Sequence, residues 1–226
     1  MPSFPTPSLS HFKSADYHRF YEPAEDSFLL LDALESDYDY LQNHVRPTIC
    51  LEVGSGSGIV TTFLATQVLA QQRRTEYFVT DLNWAALEAT QQTCVQNGLD
   101  SSRLHPIRTD LVQGLLPRLR HQIDILVFNP PYAVTSSDEC GTTTALTASW
   151  AGGIDGREVI DRFLPQIPQL LSSKGVCYLV TIEQNRPQEI MQWMWQGFRL
   201  YSAVAAKRKA GIELLYILKF SPSPFP

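Results

Sequence analysis

Strand-like and helix-like runs alternate along nearly the whole of this 226-residue chain, and that rhythm restricts its fold more than composition does. Residues 48–53 form a short apolar run ending in a glycine-rich turn, the mark of a buried strand. Residues 59–70 are apolar at helical spacing. Next come a strand at 76–81, a helix at 84–97 that stops at Asn97-Gly98, a third strand at about 103–109 and a fourth at 123–128. Over 156–171, Val159, Ile160, Phe163, Leu164, Ile167 and Leu170 share one helical face, with kinks expected at Pro165 and Pro168. Lys174-Gly175 leads into a fifth strand over 176–182, and a helix follows Pro187 with Ile190, Met191, Met194 and Trp195 apolar. Two last strands, 198–206 and 212–220, flank a hairpin connection at 207–211. This order implies an α/β fold with a mainly parallel sheet covered by helices on both faces. The closing hairpin adds one antiparallel strand.

The chain is long enough for one full core, expected over residues 21–220 as a single domain. The Pro/Ser-rich stretch 1–20 and the closing 221–226 read as loose tails. With 18 basic against 23 acidic residues the net charge is −5, which argues against a broad phosphate-binding surface and so against direct DNA binding. The four cysteines, Cys50, Cys94, Cys140 and Cys177, are scattered without a C-x-x-C pair, so neither a metal site nor a disulfide framework is expected. No run approaches the ~18 apolar residues of a membrane span, and the start lacks the order of a signal peptide. A reducing, cytoplasmic setting is expected, with nuclear access open.

Ligands in such sheets bind beyond the carboxyl ends of the strands. That rule brings Glu52, Gly54, Gly56, Asp81, Asp110 and Asn129 to one rim. The turn after residue 53 partly fits a dinucleotide pattern, but the third glycine position falls on Ile59, and Asp81 comes late for a nicotinamide ribose. A carboxylate at each of three successive strand ends suits an adenosine without a pyrophosphate. In that reading Asp81 takes the ribose hydroxyls, Asp110 takes the adenine amino group, and the Leu111 backbone reads the ring edge.

At the end of the fourth strand stands Asn129-Pro130-Pro131-Tyr132. A planar NH2 group can donate to the Asn129 side-chain oxygen and the Pro130 carbonyl while lying against the Tyr132 ring. Proline fixes φ and restricts its predecessor, so the carbonyl is set before a substrate arrives. The set selects and orients a weakly nucleophilic nitrogen.

Together the E-x-G-x-G-x-G turn, the Asp81 and Asp110-Leu111 positions and N-P-P-Y resemble a class I S-adenosylmethionine-dependent methyltransferase of the amino-methylating branch. The strings at 21–27, 109–118 and 150–159 narrow this. They are similar to those of the eukaryotic HemK-like release-factor glutamine methyltransferases, and the likeness runs from about residue 20 to 220. It implies a Rossmann-like, seven-stranded sheet and methylation of the glutamine in the Gly-Gly-Gln motif of the class 1 translation termination factor. It further implies cofactor contacts from Ser27, Glu52, Gly54, Gly56, Asp81, Asp110, Leu111 and Asn129, with S-adenosylhomocysteine as product. Asn129, Pro130, Pro131 and Tyr132 would meet the substrate, and Asn129, Pro130 and Tyr132 would carry the chemistry.

The resemblance also implies a partner, the small zinc-binding activator shared by several eukaryotic methyltransferases. The third strand, 103–109, lies at a sheet edge in the usual order and is lightly protected, which invites strand addition. Trp84 stands where the family commonly has proline, and the Ser/Thr-rich segment 135–149 has no familiar pattern. Asp155 and Arg157 are expected to brace the substrate loop or cap the helix beginning there. The basic run 207–209 is expected in a solvated hairpin near the rim, and the Trp193/Trp195 pair in packing. Three other readings stay open: lysine on other proteins as a further target, an adenine-N6 DNA methyltransferase, and a non-catalytic subunit that keeps the fold.

Overall fold

The computed structural model describes residues 3–140 and 149–226, without the side chains of 139 and 140. The centre of the segment 135–149 and the Cys140 side chain therefore lie outside the described residues. Seven strands form one sheet: β1 (Ile49–Val53), β2 (Glu76–Asp81), β3 (Leu104–Arg108), β4 (Ile123–Phe128), β5 (Leu171–Ile182), β6 (Tyr201–Ala210) and β7 (Glu213–Ser221). The spatial order is β3-β2-β1-β4-β5-β7-β6. The pairs from β3 through β5 are parallel, and β7 runs antiparallel to both β5 and β6 between them. This is the expected mostly parallel sheet with one antiparallel strand near the C-terminus, and β3 is indeed an edge.

The period-2 alternation of the strands divides the core between two faces. Cys50, Ile125, Val127, Val176 and Tyr178 point to one side, where α1 (Glu25–Ser36) and α2 (Ile59–Phe63, continued by a π-helical turn Leu64–Val68) cover them. Leu51, Leu126, Phe128, Cys177 and Leu179 point to the other, beneath α4 (Glu158–Phe163) and α5 (Pro187–Phe198). Helix α3 (Trp84–Gln96) begins at Asn83, whose side chain accepts the Ala85 N–H in place of a missing helical partner. After α4 the chain passes through a 3-10 turn, Leu164–Gln166, and a last helical turn, Ile167–Leu170, the kinks expected from Pro165 and Pro168.

Four local features differ from the sequence reading or add to it. Helix α1 went unread because Phe28-Leu29-Leu30-Leu31 is apolar without a gap, a pattern that does not distinguish helix from strand. The run 207–209 belongs to β6 rather than to a loop: Arg208 pairs with Asp32 and Glu25 of α1, Lys207 lies over the Tyr216 ring, and the turn contracts to Gly211 and Ile212. Trp193 and Trp195 are each 41% exposed, on the outer side of α5, against Phe198 and Tyr201.

The ends, fourth, are laid down rather than loose. Phe4 packs on Tyr38 and Phe63, Ser8 exchanges two hydrogen bonds with Asn97, and Phe12, Tyr17 and Phe20 cluster by edge contacts. Phe225 covers Lys219 and Tyr40. Aromatic residues among the prolines supply the anchor that composition alone does not reveal. Cys50, Cys94 and Cys177 are buried free thiols. No helix among the described residues is long and apolar enough to cross a membrane.

Candidate active site

The carboxyl ends of β1, β2, β3 and β4 open onto a cavity of about 550 Å³, and every residue expected from the sequence to meet cofactor or substrate lines it. The turn after β1 shapes its floor. Gly54 N–H donates to the Thr80 carbonyl at 2.7 Å, and Gly56 N–H donates to Asp81 Oδ2 at 3.2 Å, so β2 holds the turn from below. Gly58 brings helix α3 close: with φ +80°, a Cβ there would lie 2.5 Å from the Thr90 Cα. That role belongs to the third glycine of a dinucleotide turn, moved one residue earlier than Ile59.

Each carboxylate has a local partner that sets its direction. Asp81 accepts the N–H groups of Gly56 and Asn83, which leaves acceptor capacity on a group with roughly four lone-pair sites. Burial raises its pKa above the ordinary value despite those donors. Glu52, 5% exposed, accepts from the Thr61 N–H and hydroxyl on Oε2, and burial pushes its pKa up to about 8. Asp110 takes Arg162 and Gln113 on Oδ2. Leu111 sits beside it at φ +49°, a left-handed conformation that turns the chain back along the cavity wall.

The Asn129-Pro130-Pro131-Tyr132 segment closes the far wall. Asn129 Nδ2 donates to Asp26 Oδ2 at 3.0 Å, and the Tyr132 hydroxyl donates to the same oxygen at 3.0 Å. The Tyr21 hydroxyl is a third donor to it, at 2.8 Å. Ser27 donates through its N–H and hydroxyl to Asp26 Oδ1. Asn129 Oδ1 is screened from water and has no hydrogen-bond partner among the described residues. Burial and the neighbouring Asp26 raise the pKa of Tyr132 well above the ordinary phenol value, so it stays a donor.

The chain is similar to known proteins along most of its length. The family model of the methyltransferase small domain matches residues 25–152. Methyltransferase HEMK2 of Mus musculus is 47% identical over 98% of this chain and 99% of its own length. The chain belongs to the HemK-type methyltransferase family. The eRF1 methyltransferase catalytic subunit mtq2 of Schizosaccharomyces pombe is 35% identical over 95% of this chain and 94% of that protein. Among solved structures, the E. cuniculi Mtq2–Trm112 complex, described as responsible for methylating the eRF1 termination factor, aligns with a TM-score of 0.64 and 30% identity. That alignment covers 91% of this chain and 99% of the other.

In this HemK-type methyltransferase the segment after Tyr132 is braced from behind. Ala133 N–H donates to the Trp150 carbonyl, Gly152 N–H to the Ala133 carbonyl and Thr135 N–H to the Gly153 carbonyl. Gly156 passes so near that a Cβ there would stand 1.9 Å from the Tyr132 carbonyl oxygen, which explains the glycine-rich string at 152–156. Asn185, fully buried, donates to the Tyr132 and Asp155 carbonyls. Asp155 does not cap α4: at φ +55° it pairs with Arg186, while Arg157 bonds Asp161 and Glu189. The pair ties the turn before α4 to the start of α5.

Sequence reasoning missed Asp26, Tyr21, Arg162, Asn185 and Glu213, the last also lining the cavity. Asp26 and Tyr21 lay inside the string already quoted at 21–27, but an acid at a helix start reads as a favourable charge near the helix N-terminus rather than a buried acceptor. Arg162 and Glu213 carried no local signal, because strand and helix order alone does not say which exposed charge leans into the rim.

Proposed function

We propose that this methyltransferase transfers a methyl group from S-adenosylmethionine to the side-chain nitrogen of a glutamine, that of the Gly-Gly-Gln motif in the eukaryotic class 1 translation termination factor. The observation that carries the reading is the unpartnered Oδ1 of Asn129 at the cavity wall. A carboxylate only accepts, so Asp26 holds the NH2 end of the Asn129 amide and leaves its oxygen as an acceptor. An incoming amide NH2 is the donor that such an oxygen lacks.

The residues present fit the cofactor. Asp81 has acceptor capacity left for hydroxyls, Asp110 keeps both its bonds on Oδ2 and so leaves Oδ1 for an amino group, and Leu111 lines the wall between. Gly54, Gly56, Ser27 and Glu52 complete the surround. Bound there, the cofactor supplies an electrophilic methyl on a positively charged sulfur.

The chain's own task is orientation. A glutamine nitrogen has its lone pair delocalised into the carbonyl. Donating both N–H bonds, to Asn129 Oδ1 and the Pro130 carbonyl, turns that lone pair toward the methyl and stabilises the positive charge that builds on nitrogen. Pro131 stiffens the carbonyl's setting, and the Tyr132 ring, fixed by its bond to Asp26, forms the flat wall. No strong base is required before attack, because the proton leaves afterwards. The activator subunit is proposed to add to the open edge at β3, and the zinc to reside in that subunit. Action in the cytosol follows from this substrate.

The test is methyl transfer from labelled S-adenosylmethionine to the termination factor, with the chain co-expressed with the activator. Labelling that disappears when the Gly-Gly-Gln glutamine is alanine supports the reading. Equal labelling of both factors moves the acceptor to another residue, and none at all overturns the substrate.

A further inference from the structure

We infer that Asp26 is a positioning residue for the transfer, acting through Asn129 and Tyr132 rather than on the substrate; this rests on the glutamine reading above. Five donors meet its carboxylate. Tyr21 hydroxyl, Asn129 Nδ2 and Tyr132 hydroxyl reach Oδ2 at 2.8, 3.0 and 3.0 Å, and the Ser27 N–H and hydroxyl reach Oδ1 at 2.6 and 3.2 Å. Asp26 itself is 2% exposed.

A side-chain amide has two nearly isosteric orientations, and only its hydrogen bonds choose between them. With Asp26 in place, a flipped Asn129 would set its oxygen against a carboxylate oxygen and present NH2 groups to the substrate's own NH2. That orientation has no acceptor for the substrate. Asp26 therefore decides which end of the Asn129 amide faces the cavity. The same oxygen anchors the Tyr132 hydroxyl, so the acceptor and the flat wall share one origin. Asp26 stands at the start of α1 and Asn129 at the end of β4, 103 positions apart, which makes the helix a fixed arm for the catalytic loop.

A purely structural pin between α1 and β4 makes different demands, and a double-mutant cycle separates the two. In the full chain with its activator, Asp26→Ala is expected to lower kcat by ~10²-fold, with the KM for a Gly-Gly-Gln peptide and cofactor binding changed by no more than about threefold. Asp26→Asn retains one acceptor and is expected to recover part of the rate. In an Asn129→Ala background only the Tyr132 anchor is left to lose, so Asp26→Ala should lower kcat by clearly less than it does in the wild-type chain. A full, additive loss there would overturn the inference, as would a rate loss that merely tracks a fall in folded fraction.

A second readout does not use activity. In protein labelled with 15N-asparagine, the Asn129 side-chain NH2, identified by its loss in Asn129→Ala, should exchange with solvent more slowly than in Asp26→Ala. Equal exchange in both would refute the contact's role. If wild-type chain fails to label the peptide, the substrate reading falls while this measurement still decides whether Asp26 holds the amide. Should Asp26→Ala fail to fold, Asp26→Asn carries both arms: its kcat must fall while its cofactor binding holds.

Discussion

Gly58 and Thr90 touch backbone to backbone: a Cβ on the glycine would lie 2.5 Å from the Thr90 Cα and 3.0 Å from its Cβ. Nothing flexible stands between the cofactor turn and helix α3 at this point. Gly58→Ala must therefore move the helix or the turn, and it adds a left-handed alanine at φ +80°. The expected destabilisation is about 2–4 kcal/mol in denaturant unfolding, from overpacking and the unfavourable conformation together. Gly98 is the control, with φ +91° but open space around it. Gly98→Ala should cost only ~1 kcal/mol, and equal losses in the two variants would remove the packing argument.

Glu52 gives the chain a pH dependence whose sign is fixed by its burial. An ordinary glutamate titrates at 4.5 and the buried group at about 8. Between those values the folded state keeps a proton that the unfolded state has released. Unfolding free energy then falls as pH rises, by on the order of 1 kcal/mol per unit. The contribution is whole below the lower value and gone above the upper one. Glu52→Gln removes the proton difference, so cofactor-free unfolding curves measured across that window should be flatter for the variant. Parallel curves would mean that Glu52 is ionised when folded.

The sheet and the rim were legible because each depends on a local pattern. Short apolar runs bounded by turn residues marked the strands, and the strand-end rule then brought Asp81, Asp110 and Asn129 together without knowledge of any contact. What stayed hidden was whatever depends on contacts between distant segments. Asp26 meets Asn129 across 103 positions and Arg208 meets Asp32 across 176, and neither pair leaves a periodic trace. The N-terminal arm was misjudged for the same reason, since Phe4 and Phe12 look like solitary aromatics until helices α2 and α3 are in place to receive them.

Strand β3 pairs with β2 on one side, and among the described residues no strand lies on its other side. Pro106 removes one donor from that strand, a single interruption that leaves the rest of the edge open to addition of another strand. If the activator docks here, backbone amides of 104–108 that exchange rapidly in the isolated chain should slow in the complex. Hydrogen–deuterium exchange reads this directly. Protection that appears elsewhere and leaves this strand unchanged would place the partner on another surface.

Two substitutions at Asn129 separate the acceptor role from the contact with Asp26. Asn129→Ala deletes the oxygen that receives the substrate NH2 and should cost ~2–4 kcal/mol of transition-state stabilisation, a rate loss of roughly 30- to 10³-fold, with cofactor binding retained. Wild-type turnover in this variant would sink the mechanism. Asn129→Asp keeps an acceptor toward the cavity but turns an oxygen toward Asp26 Oδ2, where the amide nitrogen now sits at 3.0 Å. Two carboxylates at that distance do not both ionise readily, so one of them holds a proton or the new side chain swings away. The shared proton raises the folded-state pKa of the pair. The Asp variant should therefore lose stability relative to wild type as pH rises and recover it on acidification, with unfolding midpoints converging at low pH. Asn129→Ala introduces no new acid and should keep a constant offset from wild type over the same range. Convergence in the Asp variant alone would identify Asp26 as the charge it opposes, and a constant offset in both would mean that the two side chains do not face each other in solution.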